Sequence, residues 1–195
     1  MSQQFPLAAS FAHQQVIGNV GGVSSVWQPA SASLTRPANT NAYANNGAIG
    51  SSTSVVFKFP GFFRANGGSA LLSGLRAIAS VASIATTNMG AITAHLFNAS
   101  PSAALGLGDQ GTWTTLLADD ASKVGTVSFS TWTIGGTGSN LIESYGTPII
   151  APLPMIGAQT PAPGAADLYA VLVATAVFTP ASAQVIQLYA SGVLD

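Results

Sequence analysis

The stretch Leu168-Tyr169-Ala170-Val171-Leu172-Val173-Ala174-Thr175-Ala176-Val177-Phe178 decides the class of fold. On a two-residue period, Tyr169, Val171, Val173, Thr175 and Val177 share one face, and Leu168, Leu172 and small alanines share the other. Both faces are apolar, which is the pattern of a central strand covered on its two sides. Pro180 ends it. Beyond it, Gln184–Ala190 reads as the return strand of a hairpin, with Ile186 and Leu188 on one face and Val185 and Tyr189 on the other.

Working outward, the same period recurs in short runs. Between Ser51 and Pro60, Val55, Phe57 and Phe59 alternate with Lys58, a half-buried strand that Pro60-Gly61 closes. Asn66-Gly67-Gly68-Ser69 is a turn. Residues 70–85 fit a helical spacing through Leu71, Leu75, Ile78 and Ala82, but their Ser, Thr and Gly content favours a strand. Ala91–Phe97 is a short buried strand, followed by a long loop through Pro101 to Gly111. In Lys123–Ile134 the apolar parity slips between Val127/Phe129 and Trp132/Ile134, which predicts a β-bulge near Ser130-Thr131. Residues 135–140 are a turn, and the prolines between Pro148 and Pro163 restrict that stretch to an edge strand or extended loop. Several short strands with frequent turns predict an all-β fold, an antiparallel β-sandwich that is jelly-roll-like, over residues 34–195. Residues 1–33 lack periodicity yet carry Phe5, Phe11, Val16, Ile17 and Trp27. A disordered tail usually lacks such residues, so this stretch is expected to be an extended N-terminal arm that orders on a partner, or an edge strand. Phe5, Phe11 and Trp27 are its candidate partner-binding residues.

The chain has 195 residues, of which 48% are apolar, enough for one well-cored domain and an arm. Only 6% are charged, where soluble domains average about 25%. A surface built from Ser, Thr, Asn, Gln, Gly and Ala is cheap to desolvate, and this points to extensive protein–protein contact. The net charge is −1, and the cations Arg36, Lys58, Arg64, Arg76 and Lys123 are scattered, so no basic stripe is available for nucleic acid. Cysteine is absent, which removes disulfides and thiolate metal sites. No apolar run approaches the roughly 18 residues of a membrane span. Met1-Ser2-Gln3-Gln4 has no positive segment followed by an apolar run, so a chain made and used in the cytoplasm without passing a secretory pathway is expected.

Chemistry is sparse. Gly106-Leu107-Gly108-Asp109-Gln110-Gly111 matches a dinucleotide fingerprint in letters but lacks the strand before and helix after it, so a loop is expected. No G-x-S-x-G elbow occurs, and His13 and His95 are the only histidines. His95 reads as a hydrogen-bonded or rim histidine within a strand. Asp119 with Glu143 is the acid pair open to glycosidase chemistry, and Asp109, Asp119 and Asp120 are a weak calcium constellation. The plainer reading is that Asp119-Asp120 caps a turn at Ala121-Ser122. Trp27, Trp113 and Trp132 are the aromatic residues for a sugar platform, Trp113 with Trp132 above all, against core or interface anchoring. No catalytic residue, cofactor or metal site is expected, and the chain is read as a non-enzyme.

Several segments resemble small accessory head proteins of tailed bacteriophages: Leu34-Thr35-Arg36-Pro37-Ala38 with Ala42-Tyr43, Asn66-Gly67-Gly68-Ser69, Leu96-Phe97-Asn98 with Pro101, Asp167-Leu168-Tyr169, and Phe178-Thr179-Pro180-Ala181-Ser182-Ala183. Similar proteins often show Gly-Asp-x-Ile after the tyrosine, where this chain has Asn46-Gly47-Ala48-Ile49 and no acid. The resemblance implies a virion protein with a jelly-roll-like fold that decorates or cements the capsid surface by binding the major capsid protein. It implies homo-oligomers, with trimers suited to three-fold positions, and neither nucleic acid nor membrane as partner. The competing readings are a receptor- or glycan-binding module of a head or tail fibre, a polysaccharide-degrading enzyme, and a shell-forming subunit.

Overall fold

The computed structural model describes residues 26–63, 69–81, 89–135, 140–146, 153–156 and 166–194. These form two antiparallel sheets. The strands are β1 (Val26–Thr35), β2 (Ala48–Ile49), β3 (Val56–Phe59), β4 (Ser69–Ser80), β5 (Ile92–Phe97), β6 (Lys123–Phe129), β7 (Thr133–Ile134), β8 (Leu141–Tyr145), β9 (Leu153–Ile156), β10 (Leu168–Ala174) and β11 (Val185–Leu194). A 3-10 turn at Ser102–Ala104 and a single helical turn, α1 (Leu117–Asp120), interrupt the β5–β6 connection. The six-stranded sheet runs β1-β11-β4-β8-β7, with β9 paired to β4 as well; the five-stranded sheet runs β2-β10-β5-β6, with β3 also paired to β10.

The two sheets make a sandwich because alternate residues of each strand point between them. From the five-stranded sheet come Phe57, Phe59, Ile92, Leu96, Phe129, Leu168 and Leu172; from the six-stranded sheet come Leu72, Leu75, Ile142, Ile186 and Leu188. Burying each large side chain of this set contributes about 1.5–3 kcal/mol. Strand β10 is buried at every position. Its even residues face the inter-sheet core, while Tyr169, Val171 and Val173 face a second cluster with Val55, Phe97, Ala104 and Trp113. That second face is covered by the loop between β5 and β6 rather than by a sheet.

The alternation read at β3 holds, with Phe57 and Phe59 buried and Lys58 exposed. After Pro60 the chain turns at Gly61, whose φ of +61° favours glycine. Residues 69–80 are a strand, as their composition suggested over the helical spacing.

Of residues 1–33, read as an arm or an edge strand, 26–33 take the edge-strand form, since β1 begins at Val26 and pairs with β11 through Thr35. Three other expectations change. Phe5 and Phe11 lie outside the described residues. The backbone of Trp27 lies in β1 opposite Val193. The parity slip at residues 130–132 is no bulge: β6 ends at Phe129 in one sheet, and β7 starts at Thr133 in the other, so the chain crosses the sandwich there. Strand β10 stops at Ala174, and Val177 is 73% exposed. Nor do β10 and β11 form a hairpin; β10 pairs with β2, β3 and β5, whereas β11 pairs with β1 and β4.

Truncation of the doubly covered strand tests this packing. Leu172→Ala is expected to cost about 2–5 kcal/mol of stability in urea unfolding. Val177→Ala, three residues past the strand, is expected to stay within about 0.5 kcal/mol.

Candidate functional site

Three features concentrate the polar side chains. The first is a buried cluster beside β2. Arg36, directly after β1, has no exposed side-chain surface, and its Nη2 donates to Asp109 Oδ2 at 2.8 Å. Its Nη1 donates to the carbonyl of Ala181 at 3.0 Å, and its Nε donates to the Tyr43 hydroxyl. Tyr43 in turn donates to Asp109 Oδ1, which also accepts the backbone N–H of Gly50 at 3.0 Å. Burial pushes the Tyr43 pKa far up, and the neighbouring Asp109 adds to the rise, so the hydroxyl remains a neutral donor. Gly50 is required here, because a Cβ would stand 2.3 Å from the carbonyl oxygen of Ser54. The acid of the cluster, Asp109, comes from the Gly106–Gly111 loop.

That loop is strapped down along its length. Backbone bonds join Asp109 to Ser51, Gln110 and Gly111 to Ala48, and Trp113 to Asn46. They hold Gln110 at a φ of +65°, a conformation that costs a non-glycine residue about 1–2 kcal/mol. No helix opens at the glycines, the single turn of α1 starting six residues past Gly111, and the loop serves as a cover for β10.

Asp119 forms the second feature. Its Oδ1 accepts the backbone N–H and hydroxyl of Ser102, each at 2.7 Å, and its Oδ2 accepts the Ala103 N–H at 2.9 Å. It therefore caps the 3-10 turn at Ser102–Ala104, not a turn at Ala121-Ser122. Burial pushes its pKa up, but the hydrogen bonds from Ser102 and Ala103 outweigh this and leave it below the usual value. Asp167 behaves alike: burial raises it, while Lys58 and the Gly61 N–H lower it further.

The third feature is the outer face of the six-stranded sheet. Strand register puts Ser31, Tyr189, Arg76 and Tyr145 in one row across β1, β11, β4 and β8. Arg76 lies between the two rings, 5.7 Å from the Tyr145 centroid and 5.9 Å from that of Tyr189. Its Nε donates to Glu143 Oε2 at 2.8 Å, and Nη2 reaches the same oxygen.

The residues singled out in the sequence are not brought together. Asp119 belongs to the β5–β6 connection and Glu143 to β8 on the other sheet, each with its own partners, so they form no acid pair. Among the described residues no three His, Asp or Glu side chains converge on a metal position. Trp113 is buried against Phe97 and His95 on the outer side of the five-stranded sheet, whereas Trp132 packs on Phe129 and donates to the Gly90 carbonyl at 2.9 Å. They make no shared platform. His95 Nδ1 is buried with no hydrogen-bond partner, and burial, aided by Lys123, holds its pKa down to about 4. The row of Tyr145, Arg76 and Tyr189 was not singled out; the exposed parity of Tyr189 on β11 was its one visible trace.

No protein-family model matches the sequence, and no curated protein matches it significantly.

Two outcomes follow from the buried carboxylates. Asp109→Ala leaves Arg36 buried without its counter-charge and is expected to cost about 3–5 kcal/mol in urea unfolding. For Asp119 and Asp167 the folded pKa lies below the unfolded one, so their contribution is full above about pH 4 and is lost as pH falls through the folded values. Asp119→Asn should flatten the acid limb of a stability-against-pH curve, and an unchanged limb would contradict the capping role.

Proposed function

We propose that this protein is a virion structural protein that decorates or cements a tailed-phage capsid by binding the shell of the major capsid protein. The observation that carries this reading is the fate of the few charges. Arg36, Lys58 and Arg76 are each paired with an acid, and Asp119 is bonded within its loop. Among the described residues, Lys123 and Asp120 alone have no such partner. A surface with so little free charge loses little hydration on contact, so apolar burial in an interface is offset weakly. Multiplied over many copies on a shell, modest contacts then hold strongly.

The winding of the sandwich supports the same reading. The chain alternates between sheets, and the orders β1-β11-β4-β8 and β2/β3-β10-β5-β6 interleave first and last strands as a jelly roll does. We read the fold as that topology. Homo-oligomers, trimers at three-fold positions in particular, suit the capsid lattice. On this reading the protein acts by contact and carries no active site.

Co-sedimentation of the purified protein with phage heads that lack it is the test. Saturable binding at a copy number matching one class of symmetric shell position is the expected result; heads that pellet without the protein at saturating concentration would overturn the proposal.

A further inference from the structure

The outer face of the six-stranded sheet holds a depression of 460 Å³, away from the buried Arg36–Asp109 cluster. This volume lies within the range of small-molecule sites, about 300–1,000 Å³. Small residues line its base, among them Ala30, Ser31, Gly74 and Ser191, and Arg76, Tyr145 and Tyr189 stand around it. The base depends on Gly74, where a Cβ would meet Ser191 Oγ at 2.9 Å. Tyr145 is 62% and Tyr189 38% exposed, although each is large enough to be buried profitably.

The polar groups here are mixed and the charge is balanced. Arg76 spends Nε and Nη2 on a single oxygen of Glu143, so among the described residues its Nη1 and Glu143 Oε1 have no hydrogen-bond partner. The hydroxyls of Tyr145 and Tyr189 are likewise unengaged among the described residues, so donors and acceptors face the same space. The ion pair leaves no net charge to select an anion or a cation. Aromatic rings whose hydroxyls donate and accept, beside the Arg76 donor, match a pyranose, which offers an apolar C–H face and a rim of hydroxyls that both donate and accept. The geometry points to a binding site for a neutral oligosaccharide on this face, formed by Tyr145, Tyr189 and Arg76 over the Gly74–Ser191 base, with Glu143 holding Arg76. Tyrosine and arginine also anchor protein interfaces. Concavity and unengaged polar atoms favour a sugar here, and the site does not depend on the capsid reading.

The test is an NMR titration of the intact protein with maltotriose, cellotriose and triacetylchitotriose, with sialyllactose as the acidic comparison. At least one neutral sugar is expected to shift the amides of Ser31, Arg76, Tyr145, Tyr189 and Ser191 saturably. Tyr145→Ala and Tyr189→Ala should each weaken that binding about tenfold, the loss expected for one aromatic contact. Tyr189→Phe keeps the ring and should retain most of the affinity, which separates stacking from a folding defect. Absence of saturable shifts with all three neutral sugars overturns the proposal, as does tighter binding of sialyllactose or binding that survives both alanine variants. Loss of head binding in those variants without any sugar binding would assign the face to protein contact instead.

Discussion

A strand that is apolar on both sides has to be covered twice, and much of this structure follows from how β10 meets that requirement. Its even residues are covered by the six-stranded sheet. Its odd residues have no sheet to face, and the long β5–β6 connection lies over them instead. A loop in that position carries backbone groups that must be bonded locally. The pairing of residues 109–113 with 46–51 and the Asp119 cap on Ser102 and Ala103 meet that need. The Arg36–Tyr43–Asp109 cluster then ties the loop to the end of β1 and, through Ala181, to the β10–β11 connection. Core and polar cluster are therefore one arrangement: the salt bridge sits where it does because β10 needs a lid.

Much of the strand content was visible in the sequence, because alternation is a local property. Phe57 and Phe59 against Lys58 declare a half-buried strand with no knowledge of what lies above them. Pairing is another matter. Ile186 and Leu188 point to a core whichever strand lies beside β11, so the sequence reads equally well as a hairpin with β10 or as the actual neighbours, β1 and β4. The slip at Ser130–Trp132 was ambiguous for the same reason. A reversal of inward parity marks a bulge within a sheet or a passage between sheets, and only long-range partners distinguish them.

The polar sites were less legible. Arg36 and Asp109 are 73 residues apart, and neither has a local pattern announcing the other. Ala181 likewise lies far along the chain from Arg36 and Tyr43, and the three meet only in the folded cluster. The acid came from elsewhere, from a glycine-rich loop whose letters suggested a different chemistry. Tyr145, Arg76 and Tyr189 could not have been grouped from spacing at all, because their row exists only once the registers of β11 on β4 and of β4 on β8 are set.

The pairing of most described charges also bears on ionic strength. Dissolved salt weakens interactions between exposed charges over about 8–10 Å but reaches a buried pair much less. The Arg36–Asp109 bridge is buried, with side-chain exposures of 0% and 3%. Of the three ion pairs among the described residues, Arg36–Asp109 is therefore the one that added salt leaves in place, while Lys58–Asp167 and Arg76–Glu143, whose cations are 51% and 40% exposed, are the ones it screens.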